Sequence, residues 1–183
     1  MQNLIKPAVF VLLMLVLAIQ SFSQNISNDT LHWNQDRPIT WADFKGESME
    51  FTGFNGENFC LLSANYNRSN SFAKTVYVIE AIFDRDKSWI SETAKNPNNL
   101  MFFQASFDIY ELNARKLRKK CSELPRDADP TVVLQPTYNQ TMSELMAEYN
   151  MFRKETKMGL DEESVKAWAD AISMRLSELN DFR

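Results

Sequence analysis

The stretch "NPNNLMFFQASFDIYELNARKLRKK", residues 96–120, decides the fold. Leu100, Phe103, Phe107, Tyr110, Ala114, Leu117 and Cys121 recur at spacings of three and four, which marks one buried stripe on a helix. Pro97 and Asn98 stand where such a helix would begin, because proline is tolerated in a first turn whose N–H groups have no helical partner. At the other end Arg115, Lys116, Arg118, Lys119 and Lys120 complement the negative pole of the helix dipole. A stripe of this length must be covered by a sheet or by other helices.

Upstream, "FCLLSANYN" (59–67) and "AKTVYVIEAIFDR" (73–85) have the β-branched and aromatic content of strands. The link "NRSNSF" supplies Asn and Ser for a turn, so the two read as an antiparallel hairpin. In the second strand Val76, Val78, Glu80 and Ile82 alternate with Tyr77, Ile79, Ala81 and Phe83. Both sets are largely apolar, which predicts a central strand covered on both faces. "FDRDKSW" (83–89), with Asp84 and Asp86 flanking Arg85, reads as a turn. Downstream, "PRDADPTVVLQPTYNQ" (125–140) reads as a Pro-punctuated linker, with Val132, Val133 and Leu134 as a short strand. A second helix is expected from Thr141 to a stop at Gly159. A third is expected after Asp161, whose carboxylate can cap it. The expected fold is α+β, a small antiparallel sheet followed by three helices.

The chain has 183 residues, enough for one domain with its own core. Its first 24 residues carry one cation, Lys6, then an apolar run from Ala8 to Ile19, then small and polar residues. That run is shorter than the roughly 20 apolar residues a membrane span needs. The layout is that of a secretory signal peptide over 1–24, with a short membrane anchor as the alternative. The expectation is a single domain over 25–183, secreted or periplasmic, with no stable membrane anchor after cleavage. Residues 25–36 are polar and read as a loose leader, and Trp41 and Phe44 read as anchors against the core. Loss of Lys6 takes the formal charge from −4 to −5, which argues against nucleic acid as a partner. No Gly-rich nucleotide loop or G-x-S-x-G occurs, so no cofactor is expected. Cys60 and Cys121, in an exported chain, are a candidate disulfide. It would close a loop of about 60 residues and contribute about 4 kcal/mol in the chain-entropy model. Two buried free thiols are the alternative, since each sits in an apolar segment.

Four segments together carry a family resemblance. "ITWADFKG" (39–46), "AIFDRDKSWI" (81–90), "FDIYELNARKLRKK" (107–120) and "RKETKMGLDEESVKAW" (153–168) resemble, in order, motifs of the DUF922 family of bacterial secreted, zinc-dependent protease-like proteins. The resemblance implies a zincin-like fold. It also implies a His-Glu-x-x-His helix just before Phe107, in which two imidazoles four apart hold Zn²⁺ and the Glu handles the proton of a bound water. Here Phe102 and Ser106 stand at the His positions and Phe103 at the Glu position. A later His falls on Met158, an Asp on Arg153 and a Gln on Val165. The one histidine, His32, lies outside these motifs. The departures imply no metal and no catalytic residue at the degenerate positions Phe102, Phe103, Ser106 and Met158, and a former pocket filled as a dry apolar plug. Asp108 and Glu111 match acids of the family helix. They read either as remnants of an outer shell that once oriented ligands, or as structural groups, Glu111 being four residues from Arg115. The resemblance therefore implies a catalytically inactive relative of a zinc metallopeptidase, serving as a binding or scaffold module for an unknown protein or peptide partner. The alternative is a hydrolase with a site rebuilt from Asp108, Glu111 and surface carboxylates.

Overall fold

The computed structural model describes residues 28–48, 55–70 and 73–183. The expected signal peptide, residues 1–24, lies outside the described residues. Three strands, β1 (Thr30–His32), β2 (Gly56–Asn67) and β3 (Val76–Ile90), form an antiparallel sheet in the order β1-β3-β2. Three helices follow, α1 (Pro97–Ser122), α2 (Pro130–Glu155) and α3 (Glu162–Glu178). The fold is α+β, a small antiparallel sheet followed by three helices.

β2 and β3 form the expected hairpin, from Asn67 opposite Val76 to Gly56 opposite Ile90. β3 runs further than its apolar pattern suggests, because "FDRDKSW" is not a turn. It is a bulge: Glu57 faces Trp89 while Phe59 faces Asp84, so β3 carries the extra residues. Side chains take up the bonds such an interruption frees. Ser88 Oγ donates to the Asp84 carbonyl (2.6 Å) and accepts the Phe59 N–H (2.9 Å), and the Lys87 amide bonds the Asp84 carboxylate (3.1 Å).

Segment 39–46 docks on this bulge through the Lys45 and Gly46 amides, which reach the Arg85 and Ser88 carbonyls at 2.9 and 2.8 Å. A Cβ at Gly46 would stand 2.9 Å from the Asp86 carbonyl oxygen, so the approach requires glycine. Asp43 organises the segment from a fully buried position. It accepts bonds from Arg37 (2.7 and 3.1 Å) and from the Thr40 amide (2.8 Å) and hydroxyl (3.0 Å). Burial pushes its pKa up, but Arg37 and Thr40 outweigh burial and hold it below the ordinary carboxylate value.

Two expectations about the sheet need correction. The leader is not loose throughout: Leu31 and its neighbours form β1 on the free side of β3, with Leu31 opposite Phe83. β3 is central, yet it is covered fully on one face only. Ile79, Ala81 and Phe83 enter the core with Tyr77 packed against them. Of the opposite expected set, Ile82 is buried, while Val78 and Glu80 are half-covered and Val76 is exposed.

α1 is capped by Asn96, whose side chain accepts the Asn99 N–H at 2.9 Å. It is buried well beyond the predicted stripe, with Phe102, Ala105, Ser106, Ile109, Leu112 and Asn113 also inside. The reason is its central place: the sheet covers one side, and α2 and α3 cover others. α2 starts at Pro130 rather than Thr141, so the predicted linker and the strand at Val132–Leu134 are both helix. Asp129 caps it by accepting the Thr131 N–H (2.9 Å), and Pro130 occupies the first turn. Pro136 forfeits the bond to the Val132 carbonyl. That loss is mild because both residues face solvent. α3 begins as expected, with Asp161 accepting the Ser164 N–H. Among the described residues no helix is long and apolar enough to cross a membrane.

Candidate functional site

Phe102 and Phe103, two of the positions singled out in the sequence, lie in the middle of an aromatic cluster. Phe102, only 6% exposed, stacks on Phe152 of α2 with centroids 4.9 Å apart and planes 16° apart. It meets Phe103 edge-on at 5.4 Å, and Phe103 packs on Phe44 at 5.1 Å. Phe152 in turn meets Trp168 of α3 at 5.6 Å. Gly159, at φ 88°, lies so close that a Cβ there would sit 3.0 Å from the Phe102 ring. Val165 is fully buried in the same core.

Ser106 is also fully buried, but its surroundings are polar. The Asn58 amide donates to its Oγ (3.1 Å), and reaches the Phe103 carbonyl (3.4 Å) and Cys60 Sγ (3.3 Å). Burial pushes the Tyr149 phenol up, against a hydrogen bond with Ser106 that lowers it. Met158 does not join the filling. Lys157 and Met158 have φ of 50° and 60°, a left-handed turn that swings the Met158 side chain outward to 42% exposure. Its sulfur accepts from Arg153 Nε at 3.2 Å. The apolar filling is thus Phe102, Phe103 and Val165. A cleft of about 230 Å³ outside it is bordered by the two Phe rings, Met158 and Leu160, and Ser106 is not in its lining.

A zinc ion does not fit these residues. Two of the positions are phenyl rings, Ser106 is bonded to Asn58, and Met158 is turned away. Among the described residues no three or more His, Cys, Asp or Glu side chains are grouped to hold a metal. His32 lies on β1 with its Nδ1 3.0 Å from the Glu80 carboxylate, remote from the motif.

Asp108 and Glu111 face the other way. At about 100° per residue, Gln104, Asp108, Glu111 and Arg115 form one stripe of α1, opposite Phe102 and Ser106. Glu111 is buried and accepts from Arg115 Nε (2.9 Å) and Arg118 Nη1 (2.9 Å), which is the structural pairing the spacing allowed. Arg115 Nη1 also caps the Leu176 carbonyl of α3 (2.7 Å), and Arg118 Nη2 the Ile79 carbonyl of β3 (2.7 Å). The ionic group therefore fastens α1 to both neighbours.

Asp108 accepts from the Trp33 indole and the Gln104 amide, each at 2.7 Å. Burial raises its pKa above the ordinary value, against both hydrogen bonds. Gln104 Oε1 accepts the Ile39 N–H (2.8 Å), and Arg115 Cζ lies 5.1 Å from the Trp33 ring centroid. Trp33 and Gln104 are site residues that sequence reasoning missed. The signal for Trp33 was a large aromatic in an otherwise polar leader.

The cysteines are free thiols. Cys60 Sγ sits beside Asn58, which bonds Ser106. Cys121 is fifteen residues further along the same helix, roughly 22 Å away. A disulfide needs Cα atoms within about 7 Å, so the candidate bridge is corrected to two separate thiols. Burial pushes Cys60 well up and Cys121 to about 11.

No family model, no curated protein and no solved structure matches this chain.

Proposed function

We propose that the protein is a secreted or periplasmic, catalytically inactive relative of a zinc metallopeptidase, acting as a binding or scaffold module for a protein or peptide partner. The observation that carries this reading is the Phe102–Phe152 stack at the position where the DUF922 resemblance expects the first zinc ligand. A polar pocket stripped of its metal leaves buried groups unpaired at about 1–3 kcal/mol each. An aromatic filling avoids that cost and adds about 2–3 kcal/mol per buried ring. The signal-peptide layout of residues 1–24 supports export. Among the described residues β2 is an edge strand, which supports pairing with an extended peptide. Tyr138 of α2 already holds the Leu62 carbonyl there (2.9 Å), which directs such pairing to the Gly56 end.

The competing reading is a hydrolase rebuilt around Asp108 and Glu111, favoured by the cleft beside Asp108. Against it, Glu111 is held between two guanidinium groups and cannot act as an acid or base without leaving them. The test is elemental analysis of the mature protein, with melting recorded with and without chelator. Substoichiometric metal and an unmoved melting point support the inactive reading. One equivalent of a divalent metal with a chelator-sensitive melt overturns it.

A further inference from the structure

We propose that the cleft bounded by Trp33, Asp108 and Arg115 is a binding site for a small zwitterion, specifically a free α-amino acid. It lies on the face of α1 opposite Phe102 and Ser106, so it stands whether or not the chain is a relative of a peptidase. Its volume is about 430 Å³, within the range of small-molecule sites.

Among the described residues, one polar atom on each of two residues lining it has no hydrogen-bond partner. Arg115 is 1% exposed, and two of its nitrogens are engaged by Glu111 and the Leu176 carbonyl, while Nη2 is buried with no hydrogen bond. Buried guanidinium N–H groups are rarely left so. Asp108 takes both of its donors, from Trp33 and Gln104, on Oδ1. Its other oxygen, Oδ2, takes no hydrogen bond from the described residues, and Asp108 lines the cleft. Nη2 calls for an anionic or carbonyl acceptor, and Oδ2 for a cationic or amide donor.

Trp33 sets their spacing. Its ring lies under the Arg115 guanidinium and its N–H bonds the Asp108 carboxylate, so the two heads stand within the span of one indole. A carboxylate and an ammonium carried on one carbon of a small molecule bridge such a gap. The charges agree: Glu111 and Asp108 balance Arg115 and Arg118, so a ligand of zero net charge leaves nothing uncompensated. A simple anion or cation would. Asn34, Ser173, Ser177 and Asn180 complete a neutral polar wall for a short polar side chain.

The test is isothermal titration of the mature protein with each proteinogenic L-amino acid. The halves of alanine and serine, propionate, ethylamine and ethanolamine, are titrated alongside. At least one amino acid should bind, with each half about tenfold weaker or worse. Asp108→Asn keeps the Oδ1 acceptor for Trp33 and Gln104 but turns an N–H₂ toward the ligand ammonium. It should lose at least about tenfold in affinity while remaining folded by its melting curve. Ser173→Trp, at an exposed position on the rim of α3, fills the cleft and should abolish binding should the Asn variant not fold. The proposal is overturned by no binding of any amino acid at about 10 mM, by propionate binding as well as alanine, or by a folded Asp108→Asn or Ser173→Trp variant that binds like the parent.

Discussion

Phe102→Ala should be among the most costly single substitutions in the molecule. The ring is 6% exposed, stacks on Phe152 at 4.9 Å, abuts Phe103 at 5.4 Å, and has the Gly159 turn pressed against it. Truncating a buried Phe costs about 3–5 kcal/mol, the lost transfer energy plus the cavity left between α1 and α2. In a chain of this size about 1 kcal/mol moves the melting temperature by about 2–4 °C, so the drop should be about 6–20 °C. Met158→Ala is the control: Met158 is 42% exposed and should cost no more than about 1 kcal/mol. Phe102→His sharpens the test. A buried imidazole against Phe152 has no partner, so it should cost about as much as alanine. Zinc should not rescue it, since Phe103, Ser106 and Met158 offer no second ligand. The assay is thermal and urea unfolding of the three variants with and without zinc. A Phe102→Ala protein within about 1 kcal/mol of the parent, or a Phe102→His protein stabilised by zinc, would refute the filled-pocket account.

Glu111→Ala leaves the buried Arg115 and the half-buried Arg118 without their shared carboxylate and should cost about 3–5 kcal/mol, chiefly through Arg115, read by urea unfolding. Asp43 has a lowered folded pKa, so its contribution is present above the unfolded value of about 3.9 and is lost as pH falls through the folded one. The gap in melting temperature between parent and Asp43→Asn should therefore close toward about pH 3. Asp108 has the opposite sign: its folded pKa is raised, so its contribution is full below about 3.9 and is lost as pH rises through the folded value. Asp108→Asn should gain on the parent as pH rises from about 4 through the folded value, and a pH-independent difference would contradict the burial that raises it. Both thiols are held protonated, so iodoacetamide should label Cys60 and Cys121 slowly until the chain is unfolded, and reductant should leave the melt unchanged.

The hairpin, the main helix and the cap of α3 were legible because each rests on a local pattern. Alternating Tyr77, Ile79, Ala81 and Phe83, the three-four spacing of Phe103 to Cys121, and Asp161 before an acidic first turn are all read within a few residues. The start of α2 was not, because Pro130 and Pro136 argue for a linker in sequence. In the fold one is a first-turn proline behind the Asp129 cap, and the other gives up a single solvent-facing bond. β1 is three residues long, too short for any pattern, and exists because Leu31 finds Phe83 in β3. The bulge at Asp84–Ser88 looked like a turn because it has the polar residues of one, and only pairing with Phe59 shows that the strand continues. The candidate cleft was out of reach for the same reason, since Trp33 and Asp108 are 75 residues apart and meet through one hydrogen bond.

α1 presents two unlike faces, and the difference argues where function lies. On the side of Phe102, rings meet rings, and Ser106 is satisfied by Asn58. Apolar packing of that kind holds a helix in place and requires no ligand. On the side of Asp108, Glu111 and Arg115 the same helix buries charges, which hydrophobic residues of similar volume would replace at little or no loss of stability. Scaffolding accounts for Glu111 and its two arginines, which tie α1 to its neighbours, but not for a guanidinium nitrogen left without a partner beside a cleft. A bound molecule that supplies the missing acceptor and also meets Asp108 accounts for that nitrogen.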